Sequence, residues 1–228
     1  MSSEPPPEPL GSIDYERLYE FRFRRVSQGA RDAVWREIAD QLHAWLGRPQ
    51  CVLDAAAGRG EFITAVPAAE RWAIDVIDHL GGRPGIHQVV GDVRTAELPK
   101  GHFDGVLVSN FLEHLFDADE IGALLKRLRQ TMSTGGKIAV LGPNFRYCSR
   151  EYFDYADHTI ALTHLAVEEH LYAAGFAIDR VVPRYLPYTF RGRLPTTPAL
   201  VRAYLQFPLA WRILGKQYFV LATNEDQA

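Results

Sequence analysis

At 228 residues, with 47% hydrophobic and 23% charged positions, the chain is long enough to bury a substantial core and has an ordinary globular composition. A formal charge of -3, with no basic tail or Lys/Arg block, gives no electrostatic reason to expect a nucleic-acid partner. Two cysteines, one in a predicted buried strand, exclude a disulfide framework and fit a reducing cytoplasm, and no apolar run approaches the ~20 residues that span a bilayer.

The Pro/Glu-rich start, 1–11, lacks the apolar core of a secretion signal and reads as a disordered leader. Residues 12–25, charged and aromatic, predict one helix. A second is predicted over 30–46, where Val34, Ile38, Leu42 and Leu46 recur every four residues and Gly47 ends the pattern. Strands are predicted at 52–54, 72–75, 87–90, 105–109, 137–141, 177–182 and 218–223, with helices at 61–66, 118–132 and 167–174. Gly135-Gly136 and Gly175 read as helix ends before strands. This alternation predicts an α/β fold: a seven-stranded, mostly parallel sheet with helices on both faces, an N-terminal helical extension over 12–48 and a helical insertion before the last strand. Sheets of this kind bind ligands at the carboxyl ends of their strands.

The most specific stretch runs Cys51-Val52-Leu53-Asp54-Ala55-Ala56-Ala57-Gly58-Arg59-Gly60-Glu61-Phe62. A short apolar run ends in a carboxylate, gives way to small residues and enters a helix, so the backbone there is free to approach a nucleotide-like ligand. Asp75 closes the second strand, Asp92 the third, and Asn110-Phe111-Leu112-Glu113-His114-Leu115 follows the fourth. One carboxylate in a loop is ordinary. Three closing successive strands beside a glycine turn predict a ligand site.

These residues resemble the motifs of class I S-adenosylmethionine-dependent methyltransferases. The stretch from Val52 to Gly60 resembles the family's first motif, an acidic residue followed by alternating glycines. Ala73-Ile74-Asp75 resembles the second, Gly91-Asp92-Val93 the third, and Phe103-Asp104 with 110–115 the fourth. Gly135-Gly136-Lys137-Ile138-Ala139-Val140 resembles the glycine turn into the fifth strand. The resemblance covers 51–141 and runs more loosely to Thr223. It implies a Rossmann-like fold, methyl transfer as the activity, and S-adenosylmethionine as donor with S-adenosylhomocysteine as product.

By the same resemblance, Asp54, Ala55, Ala56, Gly58 and Gly60 cradle the methionine portion of the donor. Asp75, followed by Val76, takes both ribose hydroxyls, since a carboxylate accepts two parallel hydrogen bonds. Asp92 and Val93 hold the adenine, and Asn110, Phe111 and His114 lie near the sulfonium. Ala56 stands where a glycine is common, which is tolerable provided its φ stays negative. A dinucleotide-dependent oxidoreductase shares the acidic residue about 20 positions after the glycine turn. Its fingerprint needs a third glycine where Phe62 and Ile63 stand, and its pyrophosphate avoids a helix start bracketed by Asp54 and Glu61.

A hydroxyl acceptor wants a nearby base, most often histidine or a carboxylate. Tyr147, Asp154, Asp157, His158 and His164 follow the fifth strand. His158 and His164 are the candidate catalytic residues, with adjacent carboxylates expected to make the imidazole more basic. No cluster has metal-ligand spacing, so no metal is expected. Family members often join the last two strands by a short hairpin. Here 184–216 carries Tyr185, Tyr188, Phe190, Tyr204, Phe207 and Trp211 among Arg184, Arg191, Arg193, Arg202, Arg212 and Lys216. It reads as an acceptor lid or as a helical hairpin completing the core, and its composition also suits peripheral membrane contact. The expected acceptor is a small molecule methylated at oxygen: a sugar, a glycan precursor or a secondary metabolite. The alternatives are a protein or RNA methyltransferase and a non-catalytic module that binds S-adenosylmethionine.

Overall fold

The computed structural model describes residues 13–24, 28–188 and 197–225; the leader at 1–11 lies outside them. In chain order the elements are α1 (Tyr15–Phe23), α2 (Gln28–Trp45), β1 (Cys51–Ala55), α3 (Glu61–Ala65), β2 (Glu70–Asp75), β3 (His87–Val90) and β4 (Phe103–Ser109). A 3-10 turn (Leu112–His114) leads to α4 (Ala118–Thr131), β5 (Met132–Pro143), α5 (Phe145–Cys148) and a second 3-10 turn (Tyr152–Asp154). Then come α6 (His164–Ala173), β6 (Phe176–Val182), α7 (Pro198–Gln206), α8 (Pro208–Leu214) and β7 (Gln217–Asn224).

The seven strands form one sheet in the order β3-β2-β1-β4-β5-β7-β6. The first five pair in parallel, and β7 runs antiparallel to both β5 and β6. Strand order reverses direction between β1 and β4, which leaves a crevice at their carboxyl ends.

Side-chain alternation along the central strands builds two cores. Leu53, Val106, Val108, Ile138 and Val140 point to one face, where Leu124, Leu125 and Leu128 of α4 and Val167 and Leu171 of α6 cover them. Val52, Leu107, Ala139 and Leu141 point to the other, beneath Val34, Ile38 and Leu42 of α2 and Phe62 and Ile63 of α3. The four-residue spacing in α2 is thus its buried stripe. Cys51 and Cys148 are both buried and free.

Two segments differ from the sequence-based expectation. Gly135 and Gly136 lie within β5, because α4 already ends at Thr131. Gly135 has φ 77°, and a Cβ on Gly136 would sit 2.9 Å from the Ser133 carbonyl oxygen. The pair bends β5 where its pairing with β4 jumps from Phe103–Met132 to Gly105–Lys137. In the insertion, α7 and α8 pack on the α2 face: Tyr185 is fully buried beside Trp45 and Phe219, and Trp211 stands edge-on to Tyr185. The Tyr204 hydroxyl donates to the Tyr185 carbonyl at 2.5 Å. Tyr185, Leu186 and Leu205 thereby join the core on that face. Phe190, Arg191 and Arg193 lie outside the described residues.

Candidate active site

A cavity of about 430 Å³ opens at the carboxyl ends of β1, β2 and β4. Asp54, Ala56, Gly58, Asp75, Val76, Asp92, Val93, Asn110, Phe111, His114 and His158 all line it. Ala55 is buried within β1 and Gly60 starts α3, and neither lines the cavity.

The turn after β1 is wound tightly in the left-handed region. Ala56, Gly58 and Gly60 have φ of 65°, 54° and 73°. Ala56 therefore departs from the expectation of negative φ, and the backbone carries the strain an alanine meets there, of order 1 kcal/mol. The two glycines serve different ends. A Cβ on Gly60 would lie 2.5 Å from Leu80 Cδ2, so that side chain would have to shift; one on Gly58 would meet nothing within 4 Å. Open space over the Gly58 backbone is what a closely approaching ligand needs.

Asp75 ties that turn to the end of β2. Its Oδ2 accepts from the Gly58 N–H at 2.7 Å and its Oδ1 from the Ile77 N–H at 3.1 Å. A carboxylate has about four acceptor positions, so capacity for two hydroxyls remains. Asp54 is buried, and burial followed by the charges of Glu61 and Asp75 pushes its carboxyl up to about 8. Such a group is relieved by a cationic ligand. Glu61, also buried, is ion-paired with Arg31 of α2, a cavity-lining pair the sequence did not suggest. Asp92 is more occupied than expected: Arg94 donates to its Oδ2 through Nη2 at 2.7 Å and to its Oδ1 through backbone N–H at 2.8 Å. Those bonds hold its carboxyl below the usual range.

The opposite end of the cavity is assembled from remote segments. His114 Nδ1 bonds to the Asp157 carbonyl at 2.7 Å, and the Thr159 N–H donates to the Glu113 carbonyl at 2.9 Å. These contacts bring His158 beside His114, with ring centroids 5.1 Å apart. The Asp157 side chain is fully buried and ion-paired with Arg22 of α1. Burial alone would push that carboxyl up, but the hydrogen bond from Arg22 and the charges of His114 and Arg22 outweigh it and hold it low. Tyr15, Tyr19 and Arg22 line the cavity, so α1 is the segment that covers it; of the described part of 184–216, Tyr188 alone does so.

Burial and the neighbouring His114 push His158 down to about 4, the reverse of the expected gain in basicity. His164 does not line the cavity. It opens α6, with Nδ1 2.9 Å from Asn144 Nδ2 and its ring stacked on Tyr147. Glu113 is 1% exposed, and burial pushes it up to about 7. The ligand atoms of Glu113, His114 and His158 lie within 4.8 Å of one another, a grouping hidden by their linear spacing.

The strand order, the glycine turn after β1 and the carboxylates closing three successive strands define a class I, Rossmann-like methyltransferase. A family model described as a methyltransferase domain matches residues 27–178, most of the chain. The chain belongs to this family of S-adenosylmethionine-dependent methyltransferases. No curated protein matches it. Among solved structures, it is similar to a SAM-dependent methyltransferase from Archaeoglobus fulgidus, at 20% identity, covering 92% of this chain and 100% of that one with a TM-score of 0.61. It is also similar to the N-methyltransferase NodS from Bradyrhizobium japonicum (14% identity, 85% and 97% covered, TM-score 0.57). The [4+2]-cyclase SpnF matches too (16% identity, 84% and 81% covered, TM-score 0.60). At these identities the likeness shows the fold alone, so the acceptor has to be argued from the site.

The residues present fit the donor: open backbone at Gly58, a two-acceptor carboxylate at Asp75, and a buried acid at Asp54 suited to a cationic group. Among the described residues no helix is long and apolar enough to cross a membrane.

Proposed function

We propose that the protein transfers the methyl group of S-adenosylmethionine to an oxygen of a small molecule in the cytoplasm, the acceptor being a sugar, a glycan precursor or a secondary metabolite. The observation that carries this reading is the cavity, whose volume of about 430 Å³ falls in the small-molecule range and whose mouth is roofed by α1. Asp54, Ala56 and Gly58 form the donor's methionine cradle, with Ala55 and Gly60 shaping the turn behind it, Asp75 and Val76 its ribose site, and Asp92 and Val93 its adenine site. Asn110, Phe111 and His114 border the reacting centre. His158 is the catalytic residue that receives the acceptor hydroxyl, and His164 is left to support α6.

When bound, S-adenosylmethionine supplies an electrophilic methyl on a sulfonium, which a suitably aligned oxygen lone pair takes up. The chain's own contribution is alignment, exclusion of water by Tyr19 and Tyr155, and removal of the hydroxyl proton at the His158 end. Incubation with methyl-labelled donor and separated pools of metabolites, protein and RNA tests the reading. Label in the metabolite pool is expected; label confined to protein or RNA would overturn it.

A lipid-linked acceptor is the second reading, favoured by one observation. Helix α8 buries no residue, and Phe207, Leu209 and Ile213 stand 57%, 57% and 75% exposed near Arg212. Flotation with anionic vesicles, compared with a Leu209→Ser, Ile213→Ser variant, separates membrane contact from a merely exposed helix.

A further inference from the structure

Glu113, His114 and His158 converge on one point at the acceptor end of the cavity. Glu113 is almost wholly buried, yet its Oε2 accepts no hydrogen bond among the described residues, and His158 Nδ1 has none either. A buried carboxylate oxygen without a partner is costly and calls for a cation or a donor. His114 adds an independent sign. Its Nδ1 faces the Asp157 carbonyl oxygen at 2.7 Å, so Nδ1 carries the proton and Nε2 presents a lone pair. Imidazoles that ligate metals are held in this way, with the other ring nitrogen donating to a carbonyl or carboxylate. Asp157 is itself fixed by Arg22.

We infer that Glu113, His114 and His158 form a binding site for a divalent transition cation. The inference rests on the small-molecule methyl-transfer reading and gives that reaction its means of activating the acceptor. One carboxylate and two imidazoles suit Mn²⁺, Co²⁺ or Zn²⁺ better than Ca²⁺ or Mg²⁺, which prefer oxygen alone. Ligand distances of about 2.1 Å put donor atoms about 3–3.5 Å apart, within reach of the present 4.8 Å span by small side-chain rotations. Three protein ligands leave coordination positions for an acceptor oxygen. The cation withdraws electron density from that oxygen, and its hydroxyl proton leaves to water. In the loaded enzyme the His158 lone pair goes to the cation instead of the hydroxyl. A second grouping, Cys51, Glu70 and His102, lies at the amino ends of β1, β2 and β4, away from the cavity. Its groups satisfy one another, since Glu70 Oε1 is bonded by Trp72 Nε1 at 2.6 Å and His102 Nε2 at 2.9 Å.

The test uses untagged full-length protein stripped with a chelator and titrated with Co²⁺, read by calorimetry and visible absorption. Wild type is expected to bind one equivalent with imidazole-type spectral bands. Glu113→Gln and His158→Ala should each weaken binding more than tenfold, while His102→Ala leaves it unchanged. S-adenosylhomocysteine affinity, measured in every variant, reports folding and the donor site separately. Absence of stoichiometric binding, or binding lost only in His102→Ala, overturns the inference. If Co²⁺ does not bind, donor affinity is intact and His158→Ala abolishes turnover, His158 acts directly on the hydroxyl and the function stands. If S-adenosylhomocysteine does not bind to wild type, the functional reading falls whatever the cation does.

Discussion

The donor half of the cavity comes from turns that follow β1, β2 and β3, each within a few residues of its strand. The acceptor half joins a turn after β4, a loop after β5 and a helix near the N-terminus, and its Arg22–Asp157 pair spans 135 positions. The donor half is held mostly by backbone geometry: left-handed turns and N–H groups donating to Asp75. The acceptor half is held by the buried Arg22–Asp157 ion pair and by His114 bonded to the Asp157 carbonyl. A backbone-built site tolerates change in the side chains around it, whereas a charge-built site fails when either partner is removed. That difference fits a common donor and a variable acceptor.

The strongest test of the donor half is Asp75→Ala. Two charge-assisted hydrogen bonds at ~2 kcal/mol each correspond to about a thousandfold loss in S-adenosylhomocysteine affinity. Calorimetry giving a loss of less than tenfold would break the assignment of Asp75 to the ribose. On the acceptor side, Arg22→Ala strands a fully buried Asp157 carboxylate and should cost about 3 kcal/mol of stability. Thermal unfolding reads the loss, and donor affinity should stay within a few-fold of wild type if the two halves are independent.

A smaller effect concerns protons. With its carboxyl pushed up to about 8, Asp54 holds a proton at neutral pH in the free protein, and an ammonium group favours the ionised form. Donor binding should therefore release up to one proton and weaken about tenfold for each unit the pH falls below that value. Calorimetry in buffers of different ionisation heat should detect this release in wild type and not in Asp54→Asn. The smallest expected change is Ala56→Gly, which relieves a left-handed alanine and should raise stability by about 1 kcal/mol at unchanged donor affinity. A lower melting temperature would show that unfolded-state entropy outweighs the strain.

All seven strands were legible, because apolar runs bounded by Gly, Pro and Asp report burial directly. The strand at 87–90 has the expected bounds, and the other six extend by one to five residues at one or both ends, as at Met132 to Pro143, since pairing continues past the apolar centre. The carboxylates closing β1, β2 and β3 were legible for the same local reason: each stands where its strand ends. The sign of φ at Ala56 was not, because the handedness of a turn follows from how strand and helix meet in space. Nor was the role of Glu113. Its neighbour His114 drew attention, but nothing in the chain's order brings His158 to it or Arg22 to Asp157. Hydrophobic periodicity and strand-end chemistry are short-range and survive in one dimension, so the amino-acid order alone carried the class of fold and the donor it serves. Charge neutralisation among buried groups depends on distances across the folded chain, so the cover supplied by α1, the His158 cluster and the exclusion of His164 emerged only when the loops closed over the sheet.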